Sequence, residues 1–433
     1  MHNAANRRHR SVWSARWAAM APVLIAALVA TPAASEVGIH FQRIADSDTF
    51  FPESGIFFPP SLSAGSVAFT AVDLFGAGGV YLQLPDQPLE TVVDTTMAIP
   101  GGVGNFFAFP GPPALDGGQV ALRGSDGLGF GGIYLYDGES LAVVANKATV
   151  DASGSGTLST PADPTLSMGH VAFRAFGTLS FVGVYTGDAD GVTAQVVDGD
   201  PVPGSEDDFS MLGPRPGLDG AALFFQGRGV SGKDGIFRQQ GGDTSPVADT
   251  DTLAPGTPYR YIGFGQSVSA RGGGVAFHAL DSDNKDGVYV EAGGLLTTAA
   301  RGGDPMPGSD GTFVGFEEVS VDGGDVAFLG FGVSEPQGIY LRRSGELMKI
   351  VDGNDSLDGD AIFSVELGAD ALDDDQLAFT AHFEDQSSAL YIATVPEPTP
   401  MLQLAAACLT IALFARRQAK NLASDGAPSR DLT

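Results

Sequence analysis

The chain has 433 residues, of which 60 are glycine and 39 are aspartate, and only 17% are charged. Glycine and aspartate favour turns, so this composition predicts many short strands and excludes a helical bundle, a coiled coil and a multi-span membrane protein; the 43% of hydrophobic residues exclude a disordered chain. The formal net charge of −29 gives a surface that repels nucleic-acid phosphates, which excludes nucleic acid as a partner.

The first 35 residues have the parts of a secretory signal peptide. Arginines at positions 7, 8, 10 and 16 precede a mostly apolar stretch from Ala18 to Ala30, which leads into small residues up to Ser35. Thirteen apolar residues are too few for a membrane span. This order of parts predicts cleavage by signal peptidase near Ser35 and export of the protein. The alternative is a buried hydrophobic segment.

The body of the chain, residues 36–395, contains seven copies of a triplet of glycine, an apolar residue and an aromatic residue. The copies are Gly79-Val80-Tyr81, Gly132-Ile133-Tyr134, Gly183-Val184-Tyr185, Gly235-Ile236-Phe237, Gly287-Val288-Tyr289, Gly338-Ile339-Tyr340 and, with alanine in place of glycine, Ala389-Leu390-Tyr391. Successive aromatic residues are 53, 51, 52, 52, 51 and 51 positions apart. A period this regular indicates a repeat architecture.

A second apolar triplet begins fourteen residues before most of these aromatic residues, as at Val67-Ala68-Phe69, and is shifted slightly in the fourth copy, near Phe224. Short apolar runs bounded by glycine and aspartate are typical of strands that are covered on both faces. An Asp-Gly turn such as Asp116-Gly117 precedes the second triplet, and a further strand such as Leu141 to Ala145 ends each copy. Four antiparallel strands in 51 to 53 residues are typical of a propeller blade, so the sequence predicts an all-β, seven-bladed β-propeller over residues 36–395.

The two ends of the repeat predict how the ring closes. The last copy stops after its third strand, near Val395, whereas a spare strand stands before the first copy, from Gly38 to Asp46. We therefore predict that this N-terminal strand completes the last blade, which leaves no open sheet edge. The body resembles seven-bladed propellers as a class, but both tryptophans, Trp13 and Trp17, lie in the signal peptide, which counts against WD40 and kelch blades.

The C-terminus carries a second targeting signal. Val395, Pro396, Glu397 and Pro398 are followed by an uncharged stretch from Met401 to Ala415 and then by Arg416 and Arg417. This order of parts resembles the PEP-CTERM sorting signal, over residues 396–417. The resemblance implies a short transmembrane helix, transient residence in the inner membrane, processing by an exosortase, a cytoplasmic tail over residues 418–433, and delivery to the cell surface or the extracellular matrix. The alternative is an ordinary single-span anchor. Helical segments are expected only at the two termini.

Two sets of residues in the body are candidates for binding. Acidic residues follow the fourth strand of several copies and would gather on one face of a closed ring, where carboxylates in flexible loops suit Ca²⁺. This candidate cation-binding set comprises Asp46, Asp94, Asp198, Asp200, Asp249, Asp251 and Asp352. The second set, Arg123, Arg174 and His278, occupies one position, directly after the second triplet, and would line a ligand pocket between blades or near the channel. The alternative is that these side chains only pair with carboxylates of the loops.

No catalytic motif is recognisable in the sequence, and no cofactor is expected apart from Ca²⁺. An exported ring without a catalytic set indicates a non-enzymatic binding or structural module that contacts extracellular polysaccharide or a surface protein. The alternative is an extracellular hydrolase or lyase that acts on polysaccharide through carboxylates at the channel mouth.

Overall fold

The repeat forms seven antiparallel sheets in a computed structural model that describes residues 38–50, 55–73, 75–128, 131–178 and 181–396. The predicted signal peptide lies outside the described residues, as does the sorting signal beyond Pro396, including Glu397, Pro398, Arg416 and Arg417. Residues Ile39–Val395 belong to one compact unit. In the described parts of the chain, no helix has the length and hydropathy needed to cross a membrane.

The strands follow one another blade by blade. The first strand, β1 (His40–Asp46), is followed by a one-turn helix, Ser47–Phe50. Blade 1 contains β2 (Gly55–Phe57), β3 (Ser61–Ser63), β4 (Ser66–Asp73), β5 (Gly78–Gln83) and β6 (Glu90–Asp94). Blade 2 contains β7 (Ala114–Asp116), β8 (Gln119–Ser125), β9 (Gly131–Tyr136) and β10 (Leu141–Ala145). Blade 3 contains β11 (Leu158–Ser159), β12 (Thr165–Ser167), β13 (His170–Gly177), β14 (Val182–Asp188) and β15 (Gly191–Val197).

The remaining four blades repeat this order. Blade 4 contains β16 (Phe209–Leu212), β17 (Gly217–Asp219), β18 (Ala222–Gly229), β19 (Asp234–Gln240) and β20 (Asp243–Asp249). Blade 5 contains β21 (Tyr261–Phe264), β22 (Ser269–Arg271), β23 (Gly274–Asp281), β24 (Asp286–Ala292) and β25 (Leu295–Arg301). Blade 6 contains β26 (Phe313–Asp322), β27 (Asp325–Gly332), β28 (Gly338–Arg343) and β29 (Glu346–Asp352). Blade 7 contains β30 (Ser356–Leu357), β31 (Asp360–Asp373), β32 (Gln376–Phe383), β33 (Ser388–Thr394) and, from the N-terminus, β1.

The two sequence triplets form the buried centre of each blade. The last residue of the second triplet pairs across the strands with the aromatic residue of the first, as Phe69 does with Tyr81. In six blades the two rings stack with centroids 5.5 to 5.9 Å apart. Blade 2 has Leu122 opposite Tyr134. Glycine precedes the aromatic residue because the fourth strand lies close: a Cβ at Gly79 would overlap the carbonyl oxygen of Val93.

The predicted ring closure is confirmed, because β1 pairs antiparallel with β33 from His40 opposite Thr394 to Asp46 opposite Ala389. The outer strand of every blade carries one extra residue opposite its third strand, and β1 carries the same bulge between Arg43 and Ala45. β1 is therefore the fourth strand of blade 7. The expectation of helices only at the termini is wrong in one detail: the helix Ser47–Phe50 lies inside the body, where the Ser47 hydroxyl accepts the backbone N–H of Ser388 at 3.0 Å.

The innermost strand is interrupted in most blades. In blades 1, 3, 4 and 5 it is split into two pieces that pair with the same second strand, and in blades 6 and 7 its register shifts midway. Prolines such as Pro59, Pro161 and Pro214 stand at these breaks, because proline has no N–H to give to the ladder. The innermost strands of neighbouring blades contact one another around the closed ring. The breaks therefore face the centre of the ring.

Hydrogen bonds between neighbouring blades hold the inner ends of the blades together. The aspartate at the turn between the first two strands of a blade accepts a backbone N–H from the matching turn of a neighbouring blade in four cases, which are Asp116 with Met168, Asp219 with Gly273, Asp322 with Asp374 and Asp373 with Ala64. The buried Ser269 hydroxyl donates to the carbonyl oxygen of Ala369 at 2.6 Å and accepts the Val321 N–H at 3.0 Å. The turn aspartates thus join blades as well as shaping turns.

Candidate functional site

A cavity of about 430 Å³ lies at the centre of the ring, where the breaks in the innermost strands meet. Every blade contributes to its wall. The lining residues are Pro59, Pro112, Arg123, Thr160, Pro161, Ala162, Asp163, Arg174, Pro214, Arg215, Ser267, Glu318, Leu367, Gly368 and Ala369. Its volume falls in the range of small-molecule sites, about 300 to 1,000 Å³.

Arg271 closes one end of the channel. It is the last residue of β22 and points across the ring axis to three other blades. Its guanidinium donates to the carbonyl oxygens of Leu62 at 2.7 Å, Leu372 at 3.0 Å and Leu115 at 3.2 Å. These partners lie near the ends of the innermost strands, whereas the cavity residues lie earlier in the same strands. The cavity therefore opens toward the face where the innermost strands begin.

Three arginines line the cavity, and they differ in their partners. Arg215, whose side chain is only 11% exposed, makes a 2.7 Å ion pair with Asp370. Burial alone would lower the pKa of Arg215, but attraction to Asp370, Glu318 and Asp163 outweighs burial and raises that pKa. Arg123 lies 3.5 Å from Asp163 in a looser pair. Each of these arginines therefore has a carboxylate beside it.

Arg174 is the third arginine, and no described carboxylate lies within 4 Å of its guanidinium. Its guanidinium stacks over the ring of Phe176 at 4.7 Å and makes one long hydrogen bond, 3.5 Å, to the carbonyl oxygen of Leu212. Burial lowers the pKa of Arg174, and the charge of Asp198 opposes this shift only in part. The buried Nε atom has no hydrogen-bond partner among the described residues. Arg174 thus holds a positive charge that the described protein leaves largely uncompensated.

Glu318 supplies a carboxylate to the cavity wall. Burial raises the pKa of Glu318, and the nearby charges of Arg215 and His278 reduce this shift without cancelling it. Its buried Oε2 atom has no hydrogen-bond partner in the described parts of the chain. The cavity therefore contains both unused donors and an unused acceptor.

The structure brings together two of the three residues of the candidate ligand pocket. Arg123 and Arg174 both line the cavity. His278, at the same strand position in blade 5, is not among the lining residues; its ring packs against Gly265, and its Nδ1 lies 3.7 Å from Asp286 Oδ1. The backbone of blade 5 approaches closely at Gly265 because glycine has no Cβ, and the imidazole fills that space instead of facing the cavity.

The candidate cation-binding aspartates occupy turns in which their carboxylates already have partners. Asp94 accepts from the N–H and hydroxyl of Thr96, Asp200 from the Val197 N–H, and Asp249 from the Asp251 N–H. Lys233 pairs with Asp249 and Asp251, Lys349 pairs with Asp352, Asp198 accepts the Val182 N–H, and Asp46 ends β1. Among the described residues no three His, Cys, Asp or Glu side chains form a group that could hold a metal ion.

Sequence reasoning missed Arg215, Asp163, Glu318 and Asp370. Asp163 and Arg215 stand in breaks of an innermost strand, and Glu318 and Asp370 stand where the register of β26 and β31 shifts. The signal that could have found Asp163 and Arg215 is the recurrence of prolines at the same place in the first four copies, a few residues before each Asp-Gly turn or its equivalent. The copies that hold Glu318 and Asp370 have no such proline. Proline in the middle of a predicted strand marks a break in the ladder.

A family model described as a family of unknown function (DUF7453) matches residues 16–402. No curated protein matches the sequence. Among solved structures, a puromycin-hydrolysing peptidase of Mycobacterium tuberculosis is 12% identical with a TM-score of 0.42, covering 76% of this chain and 49% of the peptidase. This chain thus spans about half the length of that protein.

Two lectins are also similar in fold. The Aleuria aurantia lectin, in complex with Fucα1-6GlcNAc, is 12% identical with a TM-score of 0.36, covering 69% of this chain and 96% of the lectin. A lectin from Burkholderia pseudomallei is 13% identical with a TM-score of 0.39, covering 78% of this chain and 97% of the lectin. At this level of similarity, neither lectin bears on the ligand of this chain.

Proposed function

We propose that this chain, which belongs to a family of unknown function (DUF7453), is an exported binding module that holds an anionic ligand in the central cavity of its ring. The observation that carries this proposal is the charge of the cavity wall. The body, residues 36–395, has 15 basic against 49 acidic residues, yet three of those basic residues line this one cavity. An arginine without a carboxylate partner, Arg174, is the anchor for the ligand.

The ring is suited to binding because its wall is held in place before a ligand arrives. All seven blades contribute lining residues, and hydrogen bonds such as those of Ser269 join the blades directly behind that wall. A site that is already ordered loses little conformational entropy when the ligand binds. Small-molecule sites are typically concave and largely preformed in this way.

Titration of the purified protein with inorganic phosphate, sulfate and glucuronate tests the proposal. We expect at least one anion to bind, and Arg174→Gln to weaken that binding about 10- to 100-fold, because a hydrogen bond to a charged group contributes about 1.5 to 3 kcal/mol. Arg228→Gln is the matched control, since Arg228 is an exposed arginine of the neighbouring blade and does not line the cavity. Binding that both variants leave unchanged would refute the role of the cavity.

The proposal also includes export and delivery to the cell surface, which the signal peptide and the C-terminal sorting signal of the sequence support. Signal peptidase removes residues 1–35, and an exosortase acts near Val395 to Pro398 while Arg416 and Arg417 keep the tail cytoplasmic. Expression of the full chain in a bacterium that has an exosortase, followed by fractionation and mass measurement of the surface form, tests this. We expect a product lacking both ends. An intact chain retained inside the cell would contradict it.

A second candidate function, cleavage of an extracellular polysaccharide, is favoured by Glu318. A carboxyl group whose pKa is raised by burial is suited to general acid catalysis, and Glu318 lines the same cavity as the ion-paired Asp163. Incubation with acidic and neutral polysaccharides, followed by measurement of new reducing ends and of unsaturated products, separates the two functions. Cleavage that Glu318→Gln abolishes would establish the enzyme; binding without cleavage supports the module.

A further inference from the structure

We infer that the ligand is the terminal sugar of an acidic polysaccharide, a pyranose that carries a carboxylate and enters the cavity end-on. This inference rests on the proposed function, because it names the chemical class of the anion held in the same cavity. Three features carry it: the closed floor of the cavity, the mixture of donors and acceptors in its wall, and the exposed apolar residues that precede the lining residues in the chain.

The closed floor requires end-on entry. The Arg271 guanidinium fills the channel on the far side of the cavity and is held by carbonyl oxygens of blades 1, 2 and 7. A polysaccharide chain cannot thread through the ring past this side chain. It can place only its end in the cavity, with the rest of the chain leaving through the open face.

The arginines in the wall select a carboxylate. Arg174 and Arg123 lie on the second strands of neighbouring blades, and both line the cavity with a buried Nε that has no partner among the described residues. A guanidinium offers a planar fork of N–H donors that matches the two oxygens of a carboxylate. The cavity can therefore pair a ligand carboxylate with Arg174, which has no competing carboxylate within 4 Å among the described residues.

The carboxylates in the wall select hydroxyl groups. Glu318 has a buried oxygen without a partner, and Asp163 makes only a 3.5 Å contact with Arg123. Carboxylates accept hydrogen bonds from hydroxyls but repel simple anions. A sugar acid carries a carboxylate and several hydroxyls on one ring, so it can satisfy both sets of groups. Inorganic phosphate has at most two hydroxyl groups, both on the atom that carries its charge, so it offers fewer donors to the carboxylates than a sugar acid does.

Exposed apolar side chains precede the cavity-lining residues in four of the innermost strands or breaks. In blades 5, 6 and 7 a bulge in the innermost strand leaves one residue unpaired, and that residue is exposed: Ile262 is 50% exposed, Val314 44% and Phe363 73%. Each stands four or five residues before a cavity-lining residue of the same strand or break, and Phe107, 63% exposed, stands in the corresponding place in blade 2. Bulges re-aim side chains in this way.

These side chains would form a rim beside the open end of the cavity and contact a saccharide chain that leaves it. Pyranose rings present an apolar C–H face, and aromatic side chains such as Phe107 and Phe363 offer large surfaces with few rotatable bonds for such contacts. The terminal sugar then occupies the cavity while the next sugars lie along the rim. The rim residues are thus expected to affect the binding of oligosaccharides more than that of a single sugar acid.

Calorimetric titration of the purified protein with trigalacturonate, with the neutral galactose trimer and with inorganic phosphate tests the inference. We expect trigalacturonate to bind at least 10-fold more tightly than the neutral trimer, with Arg174→Gln reducing its affinity about 10- to 100-fold and Arg228→Gln leaving it unchanged. With longer polygalacturonate, one protein should bind per chain end, whatever the chain length. Phe363→Ala should weaken the trimer but not monomeric galacturonate.

The outcomes separate this inference from the proposed function. Phosphate binding that depends on Arg174, with no preference for galacturonate, would overturn the sugar-acid inference and leave the anion-binding module standing. A stoichiometry that rises with the number of sugars per chain would overturn end-on entry. Failure of every anion to bind in an Arg174-dependent way would overturn both. Circular dichroism of each variant verifies that loss of binding is not loss of folding.

Discussion

Arg43 and Tyr391 join the first strand of the described chain to the last. They lie opposite each other in the pairing of β1 with β33, and Arg43 Nε donates to Tyr391 Oη at 3.0 Å. Asp358 accepts from both side chains at 2.9 Å. Burial, followed by the hydrogen bond to Asp358, raises the pKa of Tyr391 to about 12, so the phenol remains a neutral donor. Hydrogen bonds among the side chains of Arg43, Tyr391 and Asp358 thus stabilise the ring closure in addition to the backbone pairing of β1 with β33.

We predict that Arg43→Ala lowers the free energy of unfolding by about 1 kcal/mol. The substitution removes two charged hydrogen bonds, but Arg43 and Asp358 are 33% and 57% exposed, so solvent screens much of their interaction. Urea unfolding followed by circular dichroism measures the change. The control is Lys147→Ala, which removes the 3.5 Å pair between the exposed ammonium of Lys147 and Asp126 and should cost no more than about 0.5 kcal/mol. An equal decrease in the free energy of unfolding of the two variants would show that the side-chain hydrogen bonds of Arg43 do not stabilise the closure.

Ser269→Ala should be more costly, by about 1 to 3 kcal/mol, because it leaves a buried carbonyl of Ala369 and a buried N–H of Val321 without this partner. Ser210→Ala is a matched control, since the Ser210 hydroxyl is exposed and makes one bond to the carbonyl oxygen of Arg228. The same urea experiment applies to both. If Ser269→Ala lowers the free energy of unfolding no more than Ser210→Ala does, the contacts between blades 5, 6 and 7 do not depend on the Ser269 hydroxyl.

The blade number and the closure could be predicted from the sequence because both depend on local patterns that repeat. The aromatic residue of the first triplet, such as Tyr81, recurs every 51 to 53 residues, and a strand missing after Tyr391 requires one before the first blade. These features need no knowledge of distances between blades.

The cavity could be predicted only in part. Arg123 and Arg174 stand out because the same strand position holds arginine in two neighbouring blades. Arg215 and Asp370 are 155 residues apart, and only closure of the ring brings them to 2.7 Å. The same strand position does not fix where a side chain points either, because His278 turns toward the space left by Gly265. Which side chains meet at the ring axis therefore depends on how all seven blades are arranged, and not on the sequence of one copy.

Arg271→Leu should destabilise the ring by about 2 to 4 kcal/mol, because the carbonyl oxygens of Leu62, Leu115 and Leu372 each lose a charged donor. It should also open the channel, so that polygalacturonate can thread and bind with more than one protein per chain. Unfolding in urea and the binding stoichiometry measure the two effects. Wild-type stability together with unchanged end-on stoichiometry would show that Arg271 does not close the floor.

The stability of the protein should depend on pH through Glu318. Its pKa in the folded protein is raised above the ordinary value of 4.5 by burial, with Glu317 and Asp163 adding to the shift and Arg215 and His278 opposing it. Below the ordinary pKa the carboxyl is protonated in both states. As pH rises from there through the raised pKa, the unfolded chain loses its proton first, so the folded state loses stability across this window.

Glu318→Gln cannot lose a proton at this position, so its free energy of unfolding relative to the wild type should increase as pH rises from 4.5 toward neutrality. Urea unfolding of both proteins between pH 4 and pH 8 measures the difference. Because the charge of His278 opposes the shift at Glu318, the comparison is repeated in a His278→Asn background, where the pH dependence should persist. Parallel profiles for the wild type and Glu318→Gln would mean that Glu318 ionises in the folded ring as readily as in the unfolded chain, and that burial does not raise its pKa.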